Sequence, residues 1–104
     1  MWLFLLGRFF MVNKIRKSAK GEDCQIRLYG VCNFDPSTTV LAHLGGAGLA
    51  MKGYDIQGSY ACYKCHMTVD GQLPSGYSQN ELRLAHLEGM VRTQDLMIKK
   101  GLIK

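Results

Sequence analysis

Four cysteines in a chain of 104 residues set the tightest limit on this fold. Cys24 and Cys32 are separated by seven residues and Cys62 and Cys65 by two, with 29 residues between the pairs. Two cysteines two residues apart turn the backbone around a single ion, and a second pair from a distant turn completes a tetrahedron of thiolates. The pattern predicts one structural zinc per chain, held by Cys24, Cys32, Cys62 and Cys65. A chain this short gains a thin stability margin from apolar burial alone, and an ion that closes long loops is a common remedy. Three other chemistries compete for the same residues. Cys62-Tyr-Lys-Cys65-His66 also fits c-type haem attachment, which leaves Cys24 and Cys32 without a use. A redox dithiol needs a thioredoxin-like strand–helix context that the flanking sequence lacks. Iron suits four thiolates as zinc does. A closed zinc site, which uses all four cysteines, is the reading that fits best.

The net charge of +5 is localised. Arg8, Lys14, Arg16, Lys17 and Lys20 occur in residues 1–20 with no acid, and the rest of the chain carries eight basic and eight acidic side chains that cancel. A basic segment on a neutral domain suits a nucleic-acid backbone, because phosphate neutralisation dominates non-specific affinity. Lys14, Arg16, Lys17 and Lys20 are therefore candidate DNA contacts; the alternative is a solvated tail. Hydrophobic residues make up 47%, which excludes general disorder. The opening run Met1-Trp-Leu-Phe-Leu-Leu-Gly-Arg-Phe-Phe is too short to span a bilayer. It also has Arg8 inside it and no small-residue cleavage site after it, unlike an export signal. Residues 1–16 read as an apolar and basic extension, with Met11 opening a more typical polar start, and 17–104 as one domain. A reducing cytoplasm, where cysteines serve more often as ligands than as disulfides, is the expected compartment.

Along the domain, Cys24–Leu28 alternates enough for a short strand, and Asn33-Phe-Asp-Pro-Ser is dense in turn formers. Thr38–Leu44 is rich in β-branched and apolar residues and predicts a strand ending near His43. Five glycines between Gly45 and Gly58 mark an open connection, followed by an extended run, Ser59–Ala61, into the Cys62–Cys65 turn. A short helix is expected over about 64–70, stopped by Gly71 and Pro74. The last element is best defined. Ser78-Gln-Asn-Glu81 is a capping box with Tyr77 and Leu82 bracketing it. Leu84, Leu87, Val91 and Ile98 fall near one face of a helix that ends at Gly101 and is expected to brace the core. That helix has more apolar surface than a small domain readily covers, which suggests a homodimer.

Beyond the cysteines, His66 and Asp70 stand four residues apart on the short helix and share a face. An imidazole and a carboxylate there suit a divalent ion with open positions for water and phosphate. His43, at a strand end, is a candidate general base that deprotonates water for attack on a phosphodiester. The bland readings are a packed His43, a His66 hydrogen-bonded to a cysteine sulfur, and a surface or packing role for His86, which is assigned no function.

The run from Lys17 to Lys104 resembles the YbcO-type nuclease family of lambdoid phages and prophages, a branch of the HNH-like, ββα-metal group. The matching stretches are Gly21-Glu-Asp-Cys24-Gln, Gly30-Val-Cys32-Asn, Val40-Leu-Ala-His43, Ala61-Cys62-x-x-Cys65-His66 with Asp70, and Leu87-Glu-Gly-Met90-x-Arg92-Thr-Gln94. The last is the most family-specific. The resemblance implies an α+β fold, a small zinc-stapled ββα-metal (HNH-like) domain with a long C-terminal helix. It puts His43 in the place of the general base and His66 and Asp70 in the places of ligands to a catalytic Mg2+, Mn2+ or second Zn2+. The implied activity is metal-assisted DNA hydrolysis. Two departures stand out: Ala42 occupies the position of a metal ligand just before the base, and the central asparagine is missing, with Asp55 the nearest polar residue for that place and a weaker candidate ligand. Two other readings stay open, a non-catalytic zinc module that binds DNA or a phage recombination protein, and a structural phage component stabilised by zinc.

Overall fold

A computed structural model describes residues 14–44 and 54–103. Most of the predicted N-terminal extension, and residues 45–53 of the glycine-rich connection, lie outside the described residues. The described chain is a small α+β fold. Two strands, β1 (Val40–His43) and β2 (Gly58–Ala61), pair antiparallel, with Leu41 opposite Tyr60 and His43 opposite Gly58. A short helix, Tyr63–Val69, follows β2 directly, and a long helix, Gln79–Lys99, closes the fold. Single 3-10 turns at Pro36–Thr38 and Asp55–Gln57 lead into the two strands.

The helix ends follow their local chemistry. Ser78 Oγ accepts from the Glu81 amide and the Glu81 carboxylate accepts from the Ser78 amide, which satisfies two donors that a bare helix start would leave unpaired. Both helices end on a glycine with positive φ, Gly71 and Gly101. In each case the glycine amide and the next one bond back to the last turn, Gly71 to Thr68 and Gln72 to Met67, Gly101 to Ile98 and Leu102 to Met97, the paired-bond stop that glycine permits.

Strand β2 is buried along its whole length. One edge pairs with β1. On its other edge the Tyr60 carbonyl accepts from the Gln25 amide, and the Tyr60 amide donates to Thr93 Oγ1 of the long helix. A loop and a helix thus supply the partners a third strand would have given. Two apolar clusters flank the sheet. One surrounds the cysteines with Ile26, Leu28, Ala42 and Ala61. The other packs Leu41 and Tyr60 against Met97 and against Ile15 and Ala19, so the segment just before residue 17 is part of the packed body.

Two sequence expectations change. Residues 24–28 do not form a strand: the backbone bends around the Cys24 sulfur, with Arg27 at φ +54. The long helix also lies rolled away from the expected face. It buries His86, Gly89, Thr93 and Met97, while Leu84, Leu87, Val91 and Ile98 are exposed. The reason is polar and steric. Ser59 Oγ donates to the His86 carbonyl, Arg92 donates to the Gln25 carbonyl, and Gln94 donates to the Ile56 carbonyl. At Gly89 a Cβ would lie 2.9 Å from Ile26 Cγ1, 3.1 Å from Ser59 Oγ and 3.2 Å from the Gln25 carbonyl. The motif from Gly89 to Gln94 is thus a docking surface for helix against strand.

Gly89 gives a test with competing signs. Alanine is favoured over glycine inside a helix by about 1 kcal/mol, but overpacking a tight contact costs about 1–3 kcal/mol. Backbone and a hydrogen-bonded hydroxyl are among the blocking atoms, so the steric cost wins. Gly89→Ala is expected to lower the urea midpoint; a raised midpoint would mean the helix does not approach this closely.

Candidate metal centre and active site

The four cysteines converge. Their sulfurs all lie within 4.8 Å of one another, and among the described residues they are the one group of three or more metal-ligating side chains at such distances. None is in a disulfide. The Cys32 and Cys62 sulfurs are 3.8 Å apart, which matches the edge of a tetrahedron with about 2.3 Å metal–sulfur bonds, roughly 3.8 Å.

Backbone amides point at these sulfurs. Cys62 caps the short helix and accepts from the Cys65 amide at 3.3 Å, and Cys24 accepts from the Arg27 amide at 3.4 Å. Phe34 and Leu28 donate to Cys32 and Cys65. Among the described residues, Arg27 and Phe34 are the non-glycine residues with positive φ, both at +54. That conformation is costly for a bulky side chain, and at both positions it is what turns an amide onto a sulfur. Without an ion, one sulfur takes the negative charge. Hydrogen bonding from Cys65 and the converging amides hold Cys24 down at about 4. The same Cys24–Cys65 bond, then burial, pushes Cys65 up, and burial pushes Cys32 up to about 11. A divalent cation at the centre supplies the charge that lets all four ionise. The donor set, the spacing and the amide shell all fit a thiolate-bound metal ion such as zinc.

A second constellation sits at the far end of β1. His43 closes the strand, and its Nε2 lies 2.6 Å from Asp55 Oδ1 at the start of the 3-10 turn before β2. The same oxygen accepts from Arg16 Nε at 3.2 Å. Asp55 is buried, and its other oxygen, Oδ2, has no hydrogen-bond partner. Arg16, expected among the DNA contacts, is thus engaged with this carboxylate, while Lys14, Lys17 and Lys20 are exposed.

His66 and Asp70 face each other on the short helix, Nε2 to Oδ2 at 3.1 Å, both partly exposed. The two can offer an ion one nitrogen and one oxygen, with no third such side chain within ligand distance among the described residues. They act electrostatically on His86, whose ring Nε2 bonds the Ala42 carbonyl at 2.9 Å, next to His43.

His86 is a feature that sequence reasoning missed. A lone histidine in a helix gives no signal of burial, and the Gly89–Gln94 run beside it was the available cue. Burial holds its pKa below the ordinary 6.5, against the bond to Ala42 that favours the charged form. The unfolded chain therefore takes up a proton first as pH falls. The stability His86 contributes is fully present above about pH 6.5 and is lost as pH drops from there toward the folded value. Wild-type protein is expected to melt lower at pH 6 than at pH 7.5, and His86→Gln, which keeps a donor, to show a smaller drop. Equal drops in the two proteins would rule out His86 as the source.

The chain matches the family model described as "Putative nuclease YbcO" over residues 13–102. It is 41% identical over 96 residues to "Putative nuclease YbcO" of Escherichia coli (strain K12), covering 86% of this chain and 96% of that protein. The identity and coverage are the same for "Putative nuclease ybcO" of Enterobacteria phage 82. A solved structure, titled as a putative bacteriophage protein from Escherichia coli str. K-12 substr. MG1655, superposes with a TM-score of 0.73 at 38% identity, over 85% of this chain and all of that one. The stretch from Gly89 to Gln94, through which the long helix docks on the strand, lies within the matched region, and the chain belongs to the YbcO family.

Proposed function

We propose that this protein is a metal-dependent DNA endonuclease of phage or prophage origin, acting in the bacterial cytoplasm, with His43 as its general base. The observation that carries the reading is the 2.6 Å contact between His43 Nε2 and the buried Asp55 carboxylate. With the ring proton on Nε2 facing Asp55, Nδ1 bears the lone pair. It takes the proton of an attacking water, and Asp55 stabilises the imidazolium that forms. The order β1, β2, short helix, with the base closing β1 and His66 and Asp70 on the helix, supports an HNH-like ββα-metal unit stapled by a zinc ion on four cysteine thiolates.

A divalent ion held by His66 and Asp70 would polarise the scissile phosphate and stabilise the leaving oxygen. Asp55 stands near the base in place of the missing asparagine, with Arg16 keeping its carboxylate paired. The catalytic unit is residues 17–104, with Ile15 and Arg16 of the preceding segment packed onto it. Lys14, Lys17 and Lys20 contact phosphates along the DNA.

Arg16 and His43 share one carboxylate oxygen, which favours a second reading, in which the trio straps the N-terminal segment to the hairpin and the zinc module only binds DNA. Plasmid nicking by protein containing one zinc per chain, with magnesium or manganese added, separates the two. Nicking that needs the added metal is expected. No nicking by protein that still binds DNA selects the binding module, and no binding even at low salt leaves zinc with a purely structural part.

A further inference from the structure

We propose that Tyr29, Phe34 and Tyr63, three exposed rings around the four cysteines, form a stacking platform for unpaired DNA bases. The inference rests on the DNA reading above and not on its cleavage step. Tyr29 is 92% exposed, Phe34 79% and Tyr63 55%. Tyr29 lies in the turn that the Cys32 amide closes onto the Leu28 carbonyl, Phe34 two residues after Cys32, and Tyr63 directly after Cys62. Asn33 Nδ2 and the Tyr63 amide both donate to Thr38 Oγ1 at 3.2 Å, beside the 3.8 Å approach of the Cys32 and Cys62 sulfurs. The segments that carry Phe34 and Tyr63 are thereby tied together. None of the three rings belongs to either apolar cluster. Phe34 also holds φ +54, a conformation that suits asparagine or glycine better. The amide bond to Cys32 explains that backbone and does not explain a phenylalanine.

Chemistry selects the occupant. Aromatic faces left open to water suit nucleobases, since every base has a π-face and stacking tolerates any sequence. In a duplex those faces are covered by neighbouring pairs, and grooves are read by polar side chains against base edges. Phenylalanine and tyrosine rings therefore select a strand whose bases are unpaired. Charge favours the same partner over an apolar protein surface. Residues 27–40 and 62–69 contain Arg27, Lys64 and a single acid, Asp35. Arg27 is held by the Cys24 carbonyl and Gln25 Oε1, and Asp35 by the Ser37 amide and hydroxyl. Lys64, next to Tyr63, is exposed, and among the described residues nothing engages its ammonium. It is placed to meet the phosphates that run beside stacked bases.

Fluorescence anisotropy of the full-length, zinc-loaded protein with a labelled thymidine oligonucleotide, and with a duplex of the same length, tests this. The single strand is expected to bind about tenfold more tightly than the duplex. Phe34→Asn, which keeps a residue suited to positive φ, and Tyr63→Ala should each weaken single-strand binding roughly five- to hundredfold. Duplex affinity, zinc content and melting temperature should stay unchanged in both. Tyr29→Ala should act in the same direction, and Tyr63→Phe, which keeps the ring, should bind as the wild type does. Lys64→Ala should flatten the salt dependence of binding. Duplex bound as tightly as the single strand overturns the platform and leaves the nuclease reading standing, as does single-strand binding indifferent to the ring variants. Preferred single-strand binding by protein that nicks nothing supports the platform and removes cleavage. No binding of either form at low salt overturns both.

Discussion

Removing the metal ion with a strong chelator is expected to unfold this protein cooperatively at room temperature. The cysteines are not appended to a finished core. Cys24, Cys62 and Cys65 are buried within the cluster formed by Ile26, Leu28, Ala42 and Ala61, so an ion held by them would organise the same residues that pack the sheet against the loop. Structural zinc sites contribute about 10–16 kcal/mol of apparent binding free energy near neutral pH. Domains of this size have a total stability of about 5–15 kcal/mol. The metal term is therefore as large as the whole margin. Two residues held at φ +54 to aim amides at sulfur add to the imbalance, since they keep their strain when the sulfurs lose the ion. Cys65→Ser, at a fully buried position, should behave as the chelated protein does: zinc falls below one per chain, and the far-UV spectrum loses its cooperative thermal transition. An unchanged melting temperature after verified metal removal would show that the cysteines are a packed thiol cluster and nothing more.

The parts of this molecule legible in the sequence are those with local causes. The capping box at Ser78 and Glu81, the glycine stops at Gly71 and Gly101, and the strand ending at His43 depend on neighbours within a few residues. The cysteine spacing was legible because metal chemistry restricts how distant turns can meet. What the sequence did not reveal depends on long-range contacts. The strand expected over residues 24–28 is displaced by turning around a sulfur whose partners Cys62 and Cys65 lie far along the chain. The long helix was read by its apolar stripe, and that stripe faces outward because His86, Gly89 and Thr93 dock the other side. A polar, small-residue face gives a weak periodic signal, yet here it makes the specific contacts. Arg16 reads as one more basic residue of an arm until Asp55, 39 residues on, is placed beside it.

Replacing His43 with alanine is expected to lower the nicking rate by about 10²–10⁴-fold, the usual contribution of a positioned general base, with DNA affinity nearly unchanged. The split follows from where the side chain acts. His43 is 17% exposed and takes a proton only as the bond is attacked, so its loss removes transition-state stabilisation without removing uniform binding. Lys14 and Lys17 should show the opposite pattern, with weaker and less salt-dependent binding and an unchanged rate at saturation. Asp55→Asn makes the sharper test. The amide fills the same space, but it no longer offsets the imidazolium charge, and it can present its NH2 to the ring in place of an oxygen. The ring proton then moves to the wrong nitrogen, and the rate should fall nearly as far as in His43→Ala. The strap reading predicts the reverse: a loss of stability from unpairing Arg16 and His43, and no catalytic change that outlasts restoring the fold at lower temperature. Arg16→Met separates the remaining contributions, since it unpairs the carboxylate from the arm and leaves the His43 contact in place. Full nicking by Asp55→Asn protein, with zinc bound and the fold intact, would remove the His43–Asp55 contact from the mechanism and leave His43 as a packed histidine at the end of a strand.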